Sequence, residues 1–152
     1  MVYHAQANVE LRLRDAVGVQ HPAVVGHEHR VGGGLVVVGS RSLDGGVYAF
    51  PAVCTRNCRP VWVGDTGGPT AGVTIAGGTA FTVARGQLMA FPMSCRDSCV
   101  PAWTSPFLPG GPFATPAARG GVVFVVSRTG RFTAIVDSCP SQPSRCGVAW
   151  SG

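Results

Sequence analysis

Apolar residues in this chain occur in short runs, and glycine or proline bounds each run. The runs are rich in Val, Phe, Thr and Ile, a composition typical of β-strands. In the clearest stretch they predict strands at 73–76, 79–84, 87–91 and 101–104. No segment after residue 20 has the spacing of an amphipathic helix. The pattern predicts an all-β fold.

The four-strand pattern occurs three times along the chain. The first two copies share eight identities at an offset of 41 residues, the distance from Gly45 to Gly86. The shared residues are Gly45, Ala49, Phe50, Pro51, Cys54, Cys58, Pro60 and Trp62, and then Gly86, Ala90, Phe91, Pro92, Cys95, Cys99, Pro101 and Trp103. A third copy follows at an offset of 44 residues with Gly130, Ala134 and Cys139, and it closes with Cys146 and Trp150 after a loop between the cysteines that is three residues longer. The strands predicted for the first copy are 22–25, 35–39, 46–50 and 61–63, and those for the third are 114–118, 122–127, 131–136 and 147–150.

A repeat of this length with four strands is typical of a propeller blade. We expect repeats at about 21–65, 66–109 and 110–152. They follow an N-terminal segment, 1–20, in which alternating apolar residues predict a strand of a preceding blade. Propellers close with about 4 to 8 blades, so the sequence predicts three four-stranded antiparallel blades of an incomplete ring. The expected partners are therefore further propeller blades or copies of the same chain, and the sequence is that of a truncated segment or of one protomer of a ring.

The composition narrows the classes of function. The hydrophobic content is 45%, yet no apolar run approaches the roughly 18 residues of a membrane-spanning helix. We therefore expect no transmembrane segment. All 12 basic residues are arginine and the net charge is +5. Because these arginines are scattered rather than clustered on one stripe, nucleic-acid binding is not favoured.

One motif resembles a known family. The stretch Gly-Gly-Val-Tyr-Ala-Phe-Pro-Ala at 45–52 follows Leu-Val-Val-Val-Gly-Ser at 35–40 and precedes Trp62. It is similar to the pyrroloquinoline-quinone (PQQ) repeat, with Asp44 and Gly45 at its turn. The resemblance covers about residues 22–152 and implies a β-propeller. The family includes quinoprotein alcohol dehydrogenases and non-catalytic propellers such as the outer-membrane assembly lipoprotein BamB, and the repeats alone do not choose between them.

A single tryptophan closes each repeat, at Trp62, Trp103 and Trp150. A large aromatic residue that recurs once per blade fills the gap between neighbouring blades. We expect these three residues to pack between blades, and stacking on a ligand is the alternative. They match the packing tryptophan of the PQQ repeat.

Six cysteines recur in pairs, one pair in each repeat: Cys54 and Cys58, Cys95 and Cys99, and Cys139 and Cys146. The simplest connectivity is one disulfide within each loop, which would stabilise the fold by less than the roughly 3 kcal/mol estimated for a 15-residue loop. Free thiols and zinc ligands are the alternatives. Disulfides imply an oxidising, extracytoplasmic location such as the periplasm, the cell surface or the exterior. Residues 1–20 nevertheless contain no apolar stretch of a signal peptide.

The first repeat contains an insertion rich in histidine. In an extended chain His27 and His29 would lie on one side, and with His21 they could hold zinc or copper. A solvated loop is the favoured interpretation, so no metal site is predicted. No nucleophile elbow or phosphate-binding loop occurs.

Two functions follow, and we favour the first. The chain is expected to be a non-catalytic scaffold, without a cofactor, that binds a protein or glycan partner through its loops. The alternative is a fragment of a PQQ-dependent quinoprotein dehydrogenase, which would bind PQQ with calcium. The catalytic carboxylate of those enzymes cannot be carried over to this sequence, since Asp44, Asp65, Asp97 and Asp137 are predicted in turns or loops.

Overall fold

The computed structural model describes residues 34–137 and 148–152, which form three four-stranded β-sheets. This part of the chain contains no helix, and hence none that could span a membrane. Its strands are β1 (Leu35–Gly39), β2 (Val47–Pro51), β3 (Trp62–Gly64), β4 (Thr74–Ala76), β5 (Thr79–Ala84), β6 (Gln87–Pro92), β7 (Asp97–Cys99), β8 (Trp103–Thr104), β9 (Ala117–Arg119), β10 (Val122–Val126), β11 (Phe132–Val136) and β12 (Val148–Ser151). The predicted all-β fold with three blades that do not close a ring is confirmed.

Each sheet is built mainly from one sequence repeat. The second sheet has the order β4-β5-β6-β8 and the third has the order β9-β10-β11-β12, all antiparallel. In the first sheet β1, β2 and β3 are antiparallel neighbours. The predicted strands 35–39 and 79–84 coincide with β1 and β5, and the other described strands, β7 excepted, differ from their predictions by a few residues at their ends. The strand predicted at 22–25 lies outside the described residues.

The fourth strand of the first sheet comes from the second repeat. The loop predicted between the cysteines of that repeat contains β7, which pairs in parallel with β3. The amide of Asp97 donates to the carbonyl of Val61 over 2.9 Å. The sequence did not predict this strand because its residues, Asp, Ser and Cys, have neither β-propensity nor apolar alternation. The unpaired outer edge of β3 supplies the hydrogen-bonding partners that order it.

The core lies between the sheets rather than inside any one of them. Side chains alternate along β5, so Phe81 and Val83 pack toward the third sheet while Ala80 and Ala84 pack toward the first. The second sheet is therefore buried on both faces. Its β5 is buried along nearly its whole length, whereas β12 at the far edge of the third sheet is exposed throughout.

Candidate interaction surfaces

The same cross-strand pair occurs in all three sheets. An alanine lies directly opposite a tryptophan at Ala49 and Trp62, at Ala90 and Trp103, and at Ala134 and Trp150. All three alanines are fully buried. A small residue at this place lets the tryptophan ring reach across its neighbour, as in the second sheet, where the rings of Phe81 and Trp103 are 5.9 Å apart. The repeats are thus equivalent in three dimensions as well as in sequence.

Trp62 fills the space between the first and second sheets. It has no exposed surface, and its ring stacks on Phe91 of the second sheet at 6.2 Å. Gly64 lies beside the same ring, since a Cβ atom at this position would come within 2.5 Å of Phe91. The indole nitrogen of Trp62 is buried and finds no hydrogen-bond acceptor among the described residues. The contact between these blades is therefore close and apolar.

Trp103 occupies the corresponding place between the second and third sheets. It is 8% exposed, and its indole nitrogen donates to the carbonyl of Asp137 over 3.2 Å. At the opposite margin of this interface the hydroxyl of Thr74 donates to the carbonyl of Pro116. Gly72 approaches Thr115 so closely that a Cβ atom would overlap its side chain. Apolar packing and directional hydrogen bonds together hold the third blade on the second.

Trp150 lies on the far side of the third sheet and is 53% exposed. Its ring stacks on Phe132 at 5.3 Å, and Phe132 in turn contacts Phe124 at 5.6 Å. Val136 and Val148 are also exposed on this sheet. We call the surface formed by Trp150, Phe132, Phe124 and Val136 the terminal apolar face. Its tryptophan is equivalent to two that are buried, and no described blade covers it.

The cysteine loops lie at the outer edge of the blades. The structure places Cys54 next to Cys58 and Cys95 next to Cys99 at disulfide distance, with Cα atoms 6.0 and 5.4 Å apart. The second loop contains β7 and covers the edge of β3. Cys139 and Cys146, which the sequence predicts as a third pair, lie outside the described residues. The loop of one repeat thus completes the sheet of the repeat before it.

A concave site opens at the turn side of the blades. It has a volume of about 620 Å³, and the residues lining it come from the β1–β2 turn, the β5–β6 turn, and the segments that enter the second and third repeats. Arg41 and Arg85 supply its charged groups, while Phe107, Leu108 and Phe113 supply much of its apolar wall. We call this site the arginine groove. The sequence analysis missed it because the lining residues are spread from 41 to 113.

One titratable side chain outside the groove has a perturbed environment. Burial, followed by the charges of Asp44 and Asp65, raises the pKa of Tyr48 above its ordinary value. Its phenol stays neutral at physiological pH and is therefore unsuited to act as a base. Asp65 accepts a hydrogen bond from the amide of Gly67 over 2.7 Å, which fixes the turn after β3.

The remaining candidates from the sequence do not converge in the described part of the chain. His21, His27 and His29 lie outside it, so their role as metal ligands stays a prediction. Residues 34–137 and 148–152 contain no group of three or more His, Cys, Asp or Glu side chains that could hold a metal ion. Asp97 lies in β7 at the outer edge of the first sheet.

Comparison with known proteins supports the fold. No family model matches the chain, and no curated protein matches it. Among solved structures, BamB from Moraxella catarrhalis is similar to this chain with a TM-score of 0.55 and 20% sequence identity. The match covers 78% of this chain but only 34% of that chain, so this chain spans about a third of the length of BamB. A likeness at this level of identity establishes a β-propeller fold.

Proposed function

We propose that this chain is a non-catalytic, PQQ-like propeller segment that acts as an interaction scaffold. Its terminal apolar face docks a further blade, and its loops bind a protein partner. The carrying observation is the unequal burial of three equivalent tryptophans. Trp62 and Trp103 are 0% and 8% exposed under the following blade, whereas Trp150 is 53% exposed.

The composition of the terminal apolar face supports docking. Exposed aromatic residues in a contiguous group are a feature of protein interaction sites, whereas apolar residues scattered singly on a surface are ordinary. The two buried interfaces within the chain show the kind of sheet that such a face accepts. A blade of a second copy, or a further blade of a longer polypeptide, would present an apolar sheet face to Trp150, as the second blade does to Trp62.

Among the residues that the structure describes, the distribution of acidic groups favours a scaffold over an enzyme. Asp44 and Asp65 lie near Tyr48, while Asp97 is in the edge strand β7. General acid and base catalysis needs such groups to meet at one place within hydrogen-bonding reach of a substrate.

We also propose an oxidising, extracytoplasmic location, since the cysteines of the first and second repeats lie at disulfide distance.

Light scattering on the purified chain tests the proposal. We expect an oligomer or heterogeneous association, because an uncovered aromatic face favours burial. Trp150→Glu should shift the protein toward the monomer by placing a charge on this face. Leu43→Glu is the matched control, since Leu43 is an exposed apolar residue at the β1–β2 turn, away from the face, and it should leave the association unchanged.

Two results would contradict the proposal. If the unmodified chain were a stable, well-dispersed monomer, the terminal apolar face would not be a docking surface. Dehydrogenase activity on addition of PQQ and calcium would show that the chain is a quinoprotein enzyme and not a non-catalytic scaffold.

A further inference from the structure

We propose that the arginine groove binds an acidic peptide segment of a protein partner. Carboxylates of the peptide would pair with Arg41 and Arg85. An apolar side chain of the peptide, between two acidic residues, would pack on Phe107. The inference rests on the proposed scaffold function and adds to it the place and the chemistry of the partner.

The charge of the groove is of one sign. Arg41 and Arg85 both belong to its lining and both are exposed, while no Asp or Glu lines it. A planar guanidinium presents two parallel N–H donors that match the two oxygens of a carboxylate. Two such groups beside an apolar wall favour an anionic ligand over a neutral or cationic one.

The backbone at Arg85 carries a second indication. Arg85 and Gly86 form the turn between β5 and β6, with φ angles of +51° and +73°. Asn or Gly adopts this left-handed conformation with less strain than a long side chain. The needs of the turn therefore do not explain an arginine here. The turns after β1 and β10 also carry an arginine, Arg41 and Arg128, of which only Arg41 lines the groove.

The apolar part of the groove is exposed. Phe107 is 70% exposed, and its ring lies over Gly86, where a Cβ atom would come within 2.5 Å of it. Pro69, Pro112 and Phe113 continue this wall. Aromatic and arginine side chains together are enriched where protein interfaces concentrate their binding free energy. A volume of about 620 Å³ lies within the roughly 300–1,000 Å³ range of ligand pockets, which suits a few side chains of a peptide rather than a folded domain.

Fluorescence anisotropy with labelled peptides tests the inference on the complete chain. The probe is Glu-Leu-Glu-Leu-Glu, and the control peptide is Gln-Leu-Gln-Leu-Gln. We expect saturable binding of the acidic peptide and none of the glutamine peptide. Added salt should weaken the binding, because the arginines are exposed. Arg41→Gln and Arg85→Asn should each weaken binding about three- to fivefold. Asparagine is chosen at Arg85 because it suits the turn, so the variant should fold. Phe107→Ala should also weaken binding.

Arg128→Gln is the matched control, since it removes an equal charge from the equivalent turn of the third repeat. It should leave the affinity unchanged. Equal binding of the glutamine peptide, no saturable binding, or an equal loss in Arg128→Gln would overturn the inference. Light scattering on the same variants distinguishes the peptide-binding inference from the proposal that a further blade docks on the terminal apolar face. Arg41→Gln and Arg85→Asn should associate like the unmodified chain, whereas Trp150→Glu should lose association and still bind the peptide.

Discussion

Three tryptophans occupy equivalent positions in the three sequence repeats but differ in the residues that surround them. Each lies opposite a buried alanine on the neighbouring strand, so Trp62, Trp103 and Trp150 occupy equivalent places in their sheets. Only the neighbouring sheet differs. Because the stabilisation from a side chain follows the apolar surface that it removes from water, equivalent residues should contribute very different amounts to the stability of the protein.

Replacing Trp62 and Trp150 by alanine tests this difference. Trp62→Ala should lower the free energy of unfolding by about 3 to 5 kcal/mol, since it leaves a cavity against Phe91 between two blades. Trp150→Ala should lower it by about 1 kcal/mol or less in dilute protein, because half of this side chain already contacts water. Urea denaturation followed by circular dichroism measures both values. Equal losses would show that the exposure of Trp150 does not hold in solution.

At the scale of secondary-structure elements, the cysteine loop of the second repeat acts as an edge strand. An unpaired strand edge exposes a row of N–H and C=O groups that invites aggregation. β7 covers the outer edge of β3 in the first sheet, and Cys99, its last residue, lies at disulfide distance from Cys95, two residues before its start. The pairing joins two consecutive repeats through backbone hydrogen bonds. The loop is therefore part of the contact between blades as well as a connection within one blade.

Limited digestion with trypsin tests the role of this loop. Arg96 is exposed at the start of β7, so cleavage after it reports how firmly the strand is held. Reduction, or the double variant Cys95→Ser with Cys99→Ser, should speed this cleavage severalfold while global stability falls by less than about 3 kcal/mol. Cleavage after Arg119, an exposed residue at the end of β9, serves as the internal control and should not change. Unchanged cleavage after Arg96 would show that the disulfide does not hold β7.

At the scale of the whole molecule, the three blades differ in how many of their faces are covered. The second blade lies between the other two and is buried on both sides. The third blade is covered by the second and leaves its terminal apolar face exposed. Blades of a repeat protein gain stability from each neighbour that they contact. The middle blade should therefore open least often and the third blade more often.

Hydrogen exchange followed by mass spectrometry at two protein concentrations tests this order. Amides of β5 and β6 should exchange slowest at both concentrations. Amides of β11 and β12 should exchange faster, and dilution should speed them further, because dilution dissociates the partner from the terminal apolar face. Exchange in β11 and β12 that does not depend on concentration would argue against docking of a second copy.

Local patterns in the sequence were enough to predict the repeat and every described strand except β7. Apolar runs bounded by glycine identified β1, β5, β6 and β10, because strand formation depends on residue type and on neighbouring turns. The recurrence of alanine and tryptophan predicted equivalent blades, and the shared register of the three pairs agrees with it. Each of these features lies within one repeat and recurs at a regular spacing in the sequence.

Tertiary structure alone decided the features that join different repeats. β7 is a strand only because β3 offers an unpaired edge, and its own three residues carry no strand signal. The burial of Trp62 and the exposure of Trp150 depend on which blade lies beside each residue. Arg41, Arg85 and Phe107 meet in one groove although they are far apart in sequence. The physical reason is common to all three: hydrogen bonding, burial and charge depend on neighbours in space, whereas a sequence pattern reports only neighbours along the chain.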